Sequence, residues 1–117
     1  LPRKTEADRT ARDLAMAAAN EGATLVPLEV LERSVEALEL ALEAAKDGNP
    51  NSVSDAGVAG ACGLAAAQGA SLNVRINLAG LDPATASPFA TRHDAAMSRA
   101  LALGADVAAA VDAVLED

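Results

Sequence analysis

The chain has 117 residues, of which 51% are hydrophobic but only 1% aromatic, and its net charge is −8. Phe89 is the sole aromatic side chain, and no tryptophan or tyrosine is available for stacking on a base. The negative charge repels phosphate backbones and anionic lipids. Composition therefore argues against nucleic-acid and membrane partners. One cysteine and one histidine make no cluster of metal-binding spacing, so no metal is predicted. The absence of a basic, apolar leader at Leu1 predicts a cytoplasmic protein.

The first predicted helix begins after Thr5 and ends at Glu21. Asp8 follows Thr5 by three residues, which is a capping pattern, and Gly22 is a typical C-terminal stop. The apolar stripe of this helix is narrow and consists mostly of alanine. We expect the helix to pack one edge against a neighbour.

The second predicted helix runs from Pro27 to Lys46 or Asp47, with proline at the first helical position, where its missing N–H costs little. Its apolar residues recur at spacings of three and four, a pattern typical of a helix that packs lengthwise in a bundle: Leu28, Leu31, Val35, Leu38, Leu42 and Ala45. Five glutamates cover the other face. They spread over several turns instead of clustering in a calcium loop, so they predict a solvated surface.

The segment from Asn49 to Asn77 predicts a third, long helix that begins at Ser52 after a polar turn and ends near Gly80. Ser52 and Asp55 have the spacing of a capping box. Four glycines lie inside this helix, and each costs about 1 kcal/mol of helix propensity relative to alanine: Gly57, Gly60, Gly63 and Gly69. We expect the close approach of another backbone to offset this loss.

The last predicted helix has Ser87 as its cap and Pro88 as its first residue, follows a short connector from Asp82, and continues to Leu115. Its expected buried stripe is Phe89, Ala96, Ala100, Leu103, Val107, Ala110 and Val114. No alternation typical of β-strands persists anywhere. The predicted fold is therefore all-α, an antiparallel bundle of about four helices in one domain spanning residues 1–117.

Polar side chains concentrate at the start of the third helix, where free backbone N–H groups add further donors. They are Asn49, Asn51, Ser52, Ser54 and Asp55. Such a set of amides, hydroxyls and a carboxylate suits a polar heterocycle. Asp55 can act as a general acid or base, but its place in the capping box explains it equally well.

Two asparagines, Asn73 and Asn77, lie one turn apart towards the end of the third helix, although asparagine is a poor helix former. Asn73 falls on the same side as Asp55, but the intervening residues span about 27 Å. Two copies packed antiparallel through residues 52–80 would bring Asp55 of one copy near both asparagines of the other, and we expect such a homodimer. Amides bonded across a helix interface are the alternative interpretation.

Three further side chains are expected to have structural roles. We expect Arg75 to form a surface ion pair and His93 to lie at the surface or boundary of the last helix. Cys62 is expected to pack as a small residue on the glycine face.

The run NPNSVSDAGVAG and the later run GASLNVRINLAGL resemble the signature of the formiminotetrahydrofolate cyclodeaminase and methenyltetrahydrofolate cyclohydrolase family. The opening stretch LPRKTEADRTARDLAMAAANEGATLVPLEV also resembles the middle section of that family. Members are larger all-helical domains that open with a Gly-rich turn and helices forming part of the folate site. The resemblance implies that residues 1–117 are the C-terminal part of such a cyclodeaminase-type domain, truncated at its N-terminus.

The resemblance also implies a folate-dependent one-carbon enzyme, with a tetrahydrofolate derivative as its substrate. The reaction would be conversion of 5-formiminotetrahydrofolate to 5,10-methenyltetrahydrofolate with ammonia release, or hydrolysis of 5,10-methenyltetrahydrofolate. Asp55 would transfer protons, while the neighbouring asparagines and serines, with Asn73 and Asn77, would hold the pterin. Arg75 could pair with the glutamate tail of the folate, although a surface ion pair is the favoured interpretation. The alternative is a non-catalytic helical assembly or interaction fragment that retains the dimer packing of the family, and the sequence leaves these possibilities open.

Overall fold

A computed structural model describes residues 5–116 as three helices joined by short turns. Helix α1 spans Glu6–Asp47, a one-turn 3₁₀ helix spans Pro50–Ser52, α2 spans Val53–Leu78 and α3 spans Pro83–Leu115. The all-α prediction is confirmed, but residues 5–116 form three helices and not four. No helix in this part of the chain is long and apolar enough to cross a bilayer.

The three helices run in alternating directions. Ion pairs join Glu32 to Arg92 and Glu39 to Arg99, so α1 and α3 advance in the same direction. Contacts between α2 and its neighbours run in the opposite sense, because Gly57 and Gly60 face Val111 and Val107 in that order. Helix α2 is therefore antiparallel to both α1 and α3.

The two helices predicted before Gly48 are one continuous helix. Its start is where the sequence predicts it, because the Thr5 hydroxyl oxygen accepts a hydrogen bond from the Asp8 N–H at 3.0 Å. Gly22 and Pro27 both lie inside α1. The predicted stop and second start were therefore wrong; at Pro27 a hydrogen bond from Asn77 of α2 supports the continuous helix.

The polar turn before α2 is capped by a residue other than the predicted one. The side-chain oxygen of Asn49 accepts a hydrogen bond from the Asn51 N–H at 2.9 Å, which starts the 3₁₀ turn. Ser52 is the last residue of this turn and its hydroxyl makes no capping hydrogen bond. The predicted capping box with Asp55 was therefore wrong, because the asparagine turn takes the place of the serine cap.

Helix α3 begins five residues before the predicted start, with Asp82 as cap in place of Ser87 and Pro83 as first residue in place of Pro88. Asp82 caps it, because its carboxylate accepts hydrogen bonds from the N–H and the hydroxyl of Thr85 at 2.8 and 3.0 Å. These bonds hold the pKa of Asp82 below its ordinary value. A carboxylate at a helix N-terminus also interacts favourably with the helix dipole, so the Asp82 cap prevails and Pro88 lies inside the helix.

The core lies between the three helices from Thr24 onwards. The predicted stripe of α1 is confirmed, with Leu28, Leu31, Leu38 and Ala45 buried and Val35 and Leu42 half-buried. On α3 the stripe is buried at Ala100, Leu103 and Val107, but Val114 is exposed and Val111 is buried in its place. The prediction for Val114 was wrong because the contact with Gly57 draws Val111 into the stripe.

Helices α1 and α3 approach the glycines of α2 closely within one chain. A Cβ atom added to Gly60 would lie 2.6 Å from Cγ1 of Val107, and one added to Gly63 would lie 3.1 Å from Cγ of Leu38. Gly69 has no such neighbour within 4 Å. The first three glycines thus make room for side chains of α1 and α3, and not for another backbone as expected; a Cβ at Gly60 would push the helices apart.

Helix α1 extends well beyond the bundle. No residue between Glu6 and Ala23 is buried, and Thr24 is the first buried residue of the helix. The molecule is therefore elongated, with extents of 71 × 21 × 16 Å.

Candidate functional site

The predicted site residues form two groups at opposite ends of α2. The first group, Asn49, Asn51, Ser52, Ser54 and Asp55, is exposed at the turn between α1 and α2. The second group, Asn73 and Asn77, lies beside α1 at the other end of the helix. The separation along the helix axis is about 27 Å, so one chain does not bring the two groups together.

Asp55 does not form the capping box with Ser52 that the sequence predicted. It is exposed and lies in the first turn of α2, where the helix dipole favours a negative charge. Because the Ser52 hydroxyl makes no capping bond, the structural explanation of Asp55 loses its main support.

Asn77 replaces a hydrogen bond that Pro27 removes from α1. Proline has no N–H, so the carbonyl of Ala23, four residues earlier, lacks its helical donor. The side-chain amide of Asn77 donates a hydrogen bond to this carbonyl at 2.8 Å. This bond explains how α1 continues through a proline, and it supports the interpretation of Asn77 as an amide bonded across a helix interface.

We expect Asn77→Ala to lower the free energy of unfolding by about 1–2 kcal/mol, because the Ala23 carbonyl would lose its donor. In a Pro27→Ala background the new N–H satisfies that carbonyl, so the cost of Asn77→Ala should fall to a few tenths of a kcal/mol. Urea unfolding of the four proteins measures both costs. Asn73→Ala, one turn away at an exposed position, is the control and should cost less than about 0.5 kcal/mol. If Asn77→Ala lowers the free energy of unfolding equally in both backgrounds, the Asn77 amide does not replace the N–H that Pro27 lacks.

An apolar groove of about 510 Å³ runs between α1 and α2 beside this bond. Its lining is apolar except for two amides and comprises Ala23, Val26, Pro27, Val30, Ala70, Asn73, Ile76 and Asn77. A mostly apolar wall with a few polar groups at one end is typical of small-molecule sites. The groove can therefore accept the flat face of a heterocycle while the Asn73 amide meets its polar edge.

A second groove, between α2 and α3, contains the histidine that the sequence analysis placed at the surface or boundary. His93 is only 8% exposed, and its Nε2 lies 2.6 Å from the Ser71 hydroxyl oxygen. Its Nδ1 lies 2.9 Å from a carboxylate oxygen of Asp94. Because a carboxylate can only accept, Nδ1 of the neutral ring carries the proton and Ser71 donates to Nε2.

The buried position of His93 has a signal in the sequence. His93 precedes Ala96, Ala100 and Leu103 at spacings of three and four, so it continues the buried stripe of α3. The prediction of a surface or boundary position was wrong because Ser71 on α2 satisfies the imidazole, which removes much of the cost of burying it.

Arg75 and Cys62 also differ from their expected roles. The arginine ion pairs within residues 5–116 are Arg33–Glu36, Arg92–Glu32 and Arg99–Glu39, and Arg75 is not among them. Hydrogen bonding to Arg92 lowers the pKa of Glu32, but Arg75 has no such carboxylate in the described chain. Cys62 is exposed, because the close contacts of the glycine face lie on the other side of α2.

The outward face of α2 between the two predicted groups is small and almost uncharged. Arg75 is the single charged residue between positions 56 and 81. Cys62, Gly69 and Leu72 are exposed on α2, and no other helix of residues 5–116 covers them. Nor do the described residues contain a group of three or more His, Cys, Asp or Glu side chains that could hold a metal ion.

Comparison with known families matches residues 1–95 to the model described as formiminotransferase-cyclodeaminase, and this match includes the polar turn and the whole of α2. The chain belongs to this family. Among curated members, a methenyltetrahydrofolate cyclohydrolase of Methylorubrum extorquens is 40% identical over 82 residues, which are 70% of this chain and 39% of the relative. The resemblance seen in the sequence is thereby confirmed, and this formiminotransferase-cyclodeaminase family chain spans well under half of that relative.

Proposed function

We propose that this chain forms part of the catalytic domain of a folate-dependent one-carbon enzyme. Its substrate is a tetrahydrofolate derivative, either 5-formiminotetrahydrofolate, cyclised with release of ammonia, or 5,10-methenyltetrahydrofolate, hydrolysed by water. The observation that carries the proposal is the family match over residues 1–95, which includes every predicted site residue. The match and the cyclohydrolase relative do not favour the non-catalytic alternative.

Residues 1–117 are, in this proposal, the C-terminal part of a larger cyclodeaminase-type helical domain. The coverage of 39% of the cyclohydrolase relative supports this view. So does the long exposed part of α1 before Thr24, which presents helix surface to further elements of such a domain. The folate site would then combine residues of this chain with others.

Both candidate reactions need a proton transfer at nitrogen. In the cyclisation the neighbouring nitrogen outside the pterin ring attacks the formimino carbon and loses its proton. The bond from that carbon to the formimino nitrogen breaks, and this nitrogen gains a proton and leaves as ammonia. In the hydrolysis water adds to the methenyl carbon and loses a proton while a ring C–N bond opens. Asp55 is the proposed acid or base, since its carboxylate is exposed in the first turn of α2, which follows the turn that contains Asn49 and Asn51.

A second copy completes the site in this proposal. The outward face of α2 is small and uncharged over several turns, and Val58 and Ile76 expose apolar surface on it. Two α2 helices packed antiparallel through this face would place Asp55 of one copy near Asn73 and Asn77 of the other. The two separated groups then meet twice, once at each end of a two-fold interface.

The first test replaces Asp55 by asparagine and compares it with Asp47→Asn, an exposed carboxylate at the end of α1. We expect Asp55→Asn to lower turnover about 100-fold with little change in folate binding, because a proton-transfer group is lost while shape is kept. The Asp47 control should keep full turnover. Assaying ammonia release and 5-formyl or 10-formyl product formation in parallel identifies the reaction. Unchanged turnover in Asp55→Asn would remove Asp55 from the mechanism.

The second test mixes Asp55→Asn and Asn73→Ala, two variants that each lack one proposed site residue, after unfolding and refolding them together. If each site takes Asp55 from one copy and Asn73 from the other, half of the mixed dimers' sites are intact. Random assembly then restores about a quarter of the wild-type activity. No recovery, with each variant still folded and dimeric, would show that the site does not cross between copies.

A further inference from the structure

We propose that the groove between α2 and α3 binds an organic carboxylate, with Arg75 as its ion-pair partner. The groove has a volume of about 500 Å³ and lies on a different side of α2 from the groove beside Asn77. This inference rests on the groove itself and does not depend on the folate chemistry proposed above.

The first observation is the charge of the groove. Arg75 lines it, and the three ion pairs that hold Arg33, Arg92 and Arg99 leave Arg75 without a carboxylate within residues 5–116. Its own helix has no other charge from position 56 to its end at Leu78. A guanidinium is therefore available for an anion, although the net charge of the chain is −8.

The second observation is the shape of the groove walls. Leu72 and Arg75 lie one turn apart on α2, with Met97 and Leu101 one turn apart on α3. Because the helices are antiparallel, Arg75 lies at the end of the groove that contains His93. Leu101 continues the apolar wall of the groove towards its other end. Leu72 and Leu101 are 60% and 50% exposed, so an apolar body placed there would cover surface that water now contacts.

The third observation is that the polar floor of the groove is already satisfied. The Ser71 hydroxyl is hydrogen-bonded to Nε2 of His93, whose other ring nitrogen is bonded to Asp94, so both polar groups already have partners. Asp94 is the nearest acid on α3, and one of its oxygens is engaged by His93. A ligand carboxylate would meet Arg75, while the Gln68 amide, two turns away along α2, can donate to another polar group of the ligand.

The ligand class is therefore a carboxylate attached to an apolar body. Two sources have this chemistry: an aliphatic acid, or the benzoyl-glutamate portion of a folate. The probes are octanoate for the first and 4-aminobenzoyl-glutamate for the second, with octanol as the uncharged analogue of octanoate.

His93 is the only histidine of the chain, so its ring gives a single, unambiguous NMR signal at the floor of the groove. At fixed, mildly alkaline pH we expect this signal to shift and saturate as a carboxylate probe is added, with octanol at least tenfold weaker. Arg75→Gln should raise the Kd for the carboxylate at least tenfold. Arg99→Gln, which lies on the side of α3 that faces Glu39, should leave the Kd unchanged.

A saturable, Arg75-dependent shift with octanoate supports the proposal and identifies an aliphatic acid as sufficient. The same result with 4-aminobenzoyl-glutamate alone supports it and identifies the folate tail as the source. The absence of saturation with both probes, or a shift that persists in folded Arg75→Gln protein, overturns it. No turnover is measured, so this outcome is independent of the Asp55 tests.

Discussion

Gly60→Val is expected to lower the free energy of unfolding by about 3 kcal/mol. A Cβ at this position would lie 2.6 Å from Cγ1 and 3.1 Å from Cβ of Val107, and these are atoms of a short, stiff side chain. The helices would have to separate, because neither valine can rotate out of the contact. The crowding outweighs the gain of less than about 1 kcal/mol in helix propensity that any replacement of a helical glycine brings.

Gly69→Val is the matched control, since nothing lies within 4 Å of its Cβ position on the same helix. It should be neutral or stabilising by a few tenths of a kcal/mol. Val107→Ala in the Gly60→Val background should recover part of the loss by making room. Urea unfolding reports all of these values. Equal effects at Gly60 and Gly69 would mean that α3 does not contact α2 as described.

Leu38→Ala is expected to cost about 3–4 kcal/mol, because Leu38 is fully buried between the helices and its loss leaves a cavity. The matched control is Leu40→Ala on the same helix, where the leucine is 65% exposed and the cost should stay within about 0.5 kcal/mol.

Gly63 makes the test of Leu38 more specific. A Cβ at Gly63 would lie 3.1 Å from Cγ of Leu38, so Gly63→Ala fills part of the cavity that Leu38→Ala creates. The double variant should therefore be at least about 1 kcal/mol more stable than the sum of the two single effects predicts. Strict additivity would argue against direct contact between these two positions.

The packing stripes could be predicted because they depend on spacing within one segment. Leu28, Leu31 and Leu38 recur with the helical period, and each is buried as expected. The continuity of α1 could not be predicted in the same way. The hydrogen bond that supports the helix at Pro27 comes from Asn77, fifty residues later, and no local pattern announces such a partner.

The candidate site was predictable in position but not in its details. Asn49 and Asp55 do flank a helix start, as the polar run indicates, yet Asn49 makes the turn that Ser52 was expected to cap. Two side chains compete for this turn, and only the backbone geometry decides between them. His93 was missed for a related reason, because its partner Ser71 lies on another helix.

The bond between Asn77 and Ala23 has a mechanical consequence for α1. It lies where the helix leaves its neighbours, so within residues 5–116 the part of α1 from Thr24 onwards unfolds only with the bundle, while no residue before Thr24 is buried against α2 or α3. A solvated helical segment of that length is marginally stable in water. In this chain on its own, the part of α1 before Thr24 can therefore unfold and refold locally while the part from Thr24 onwards stays folded in the bundle.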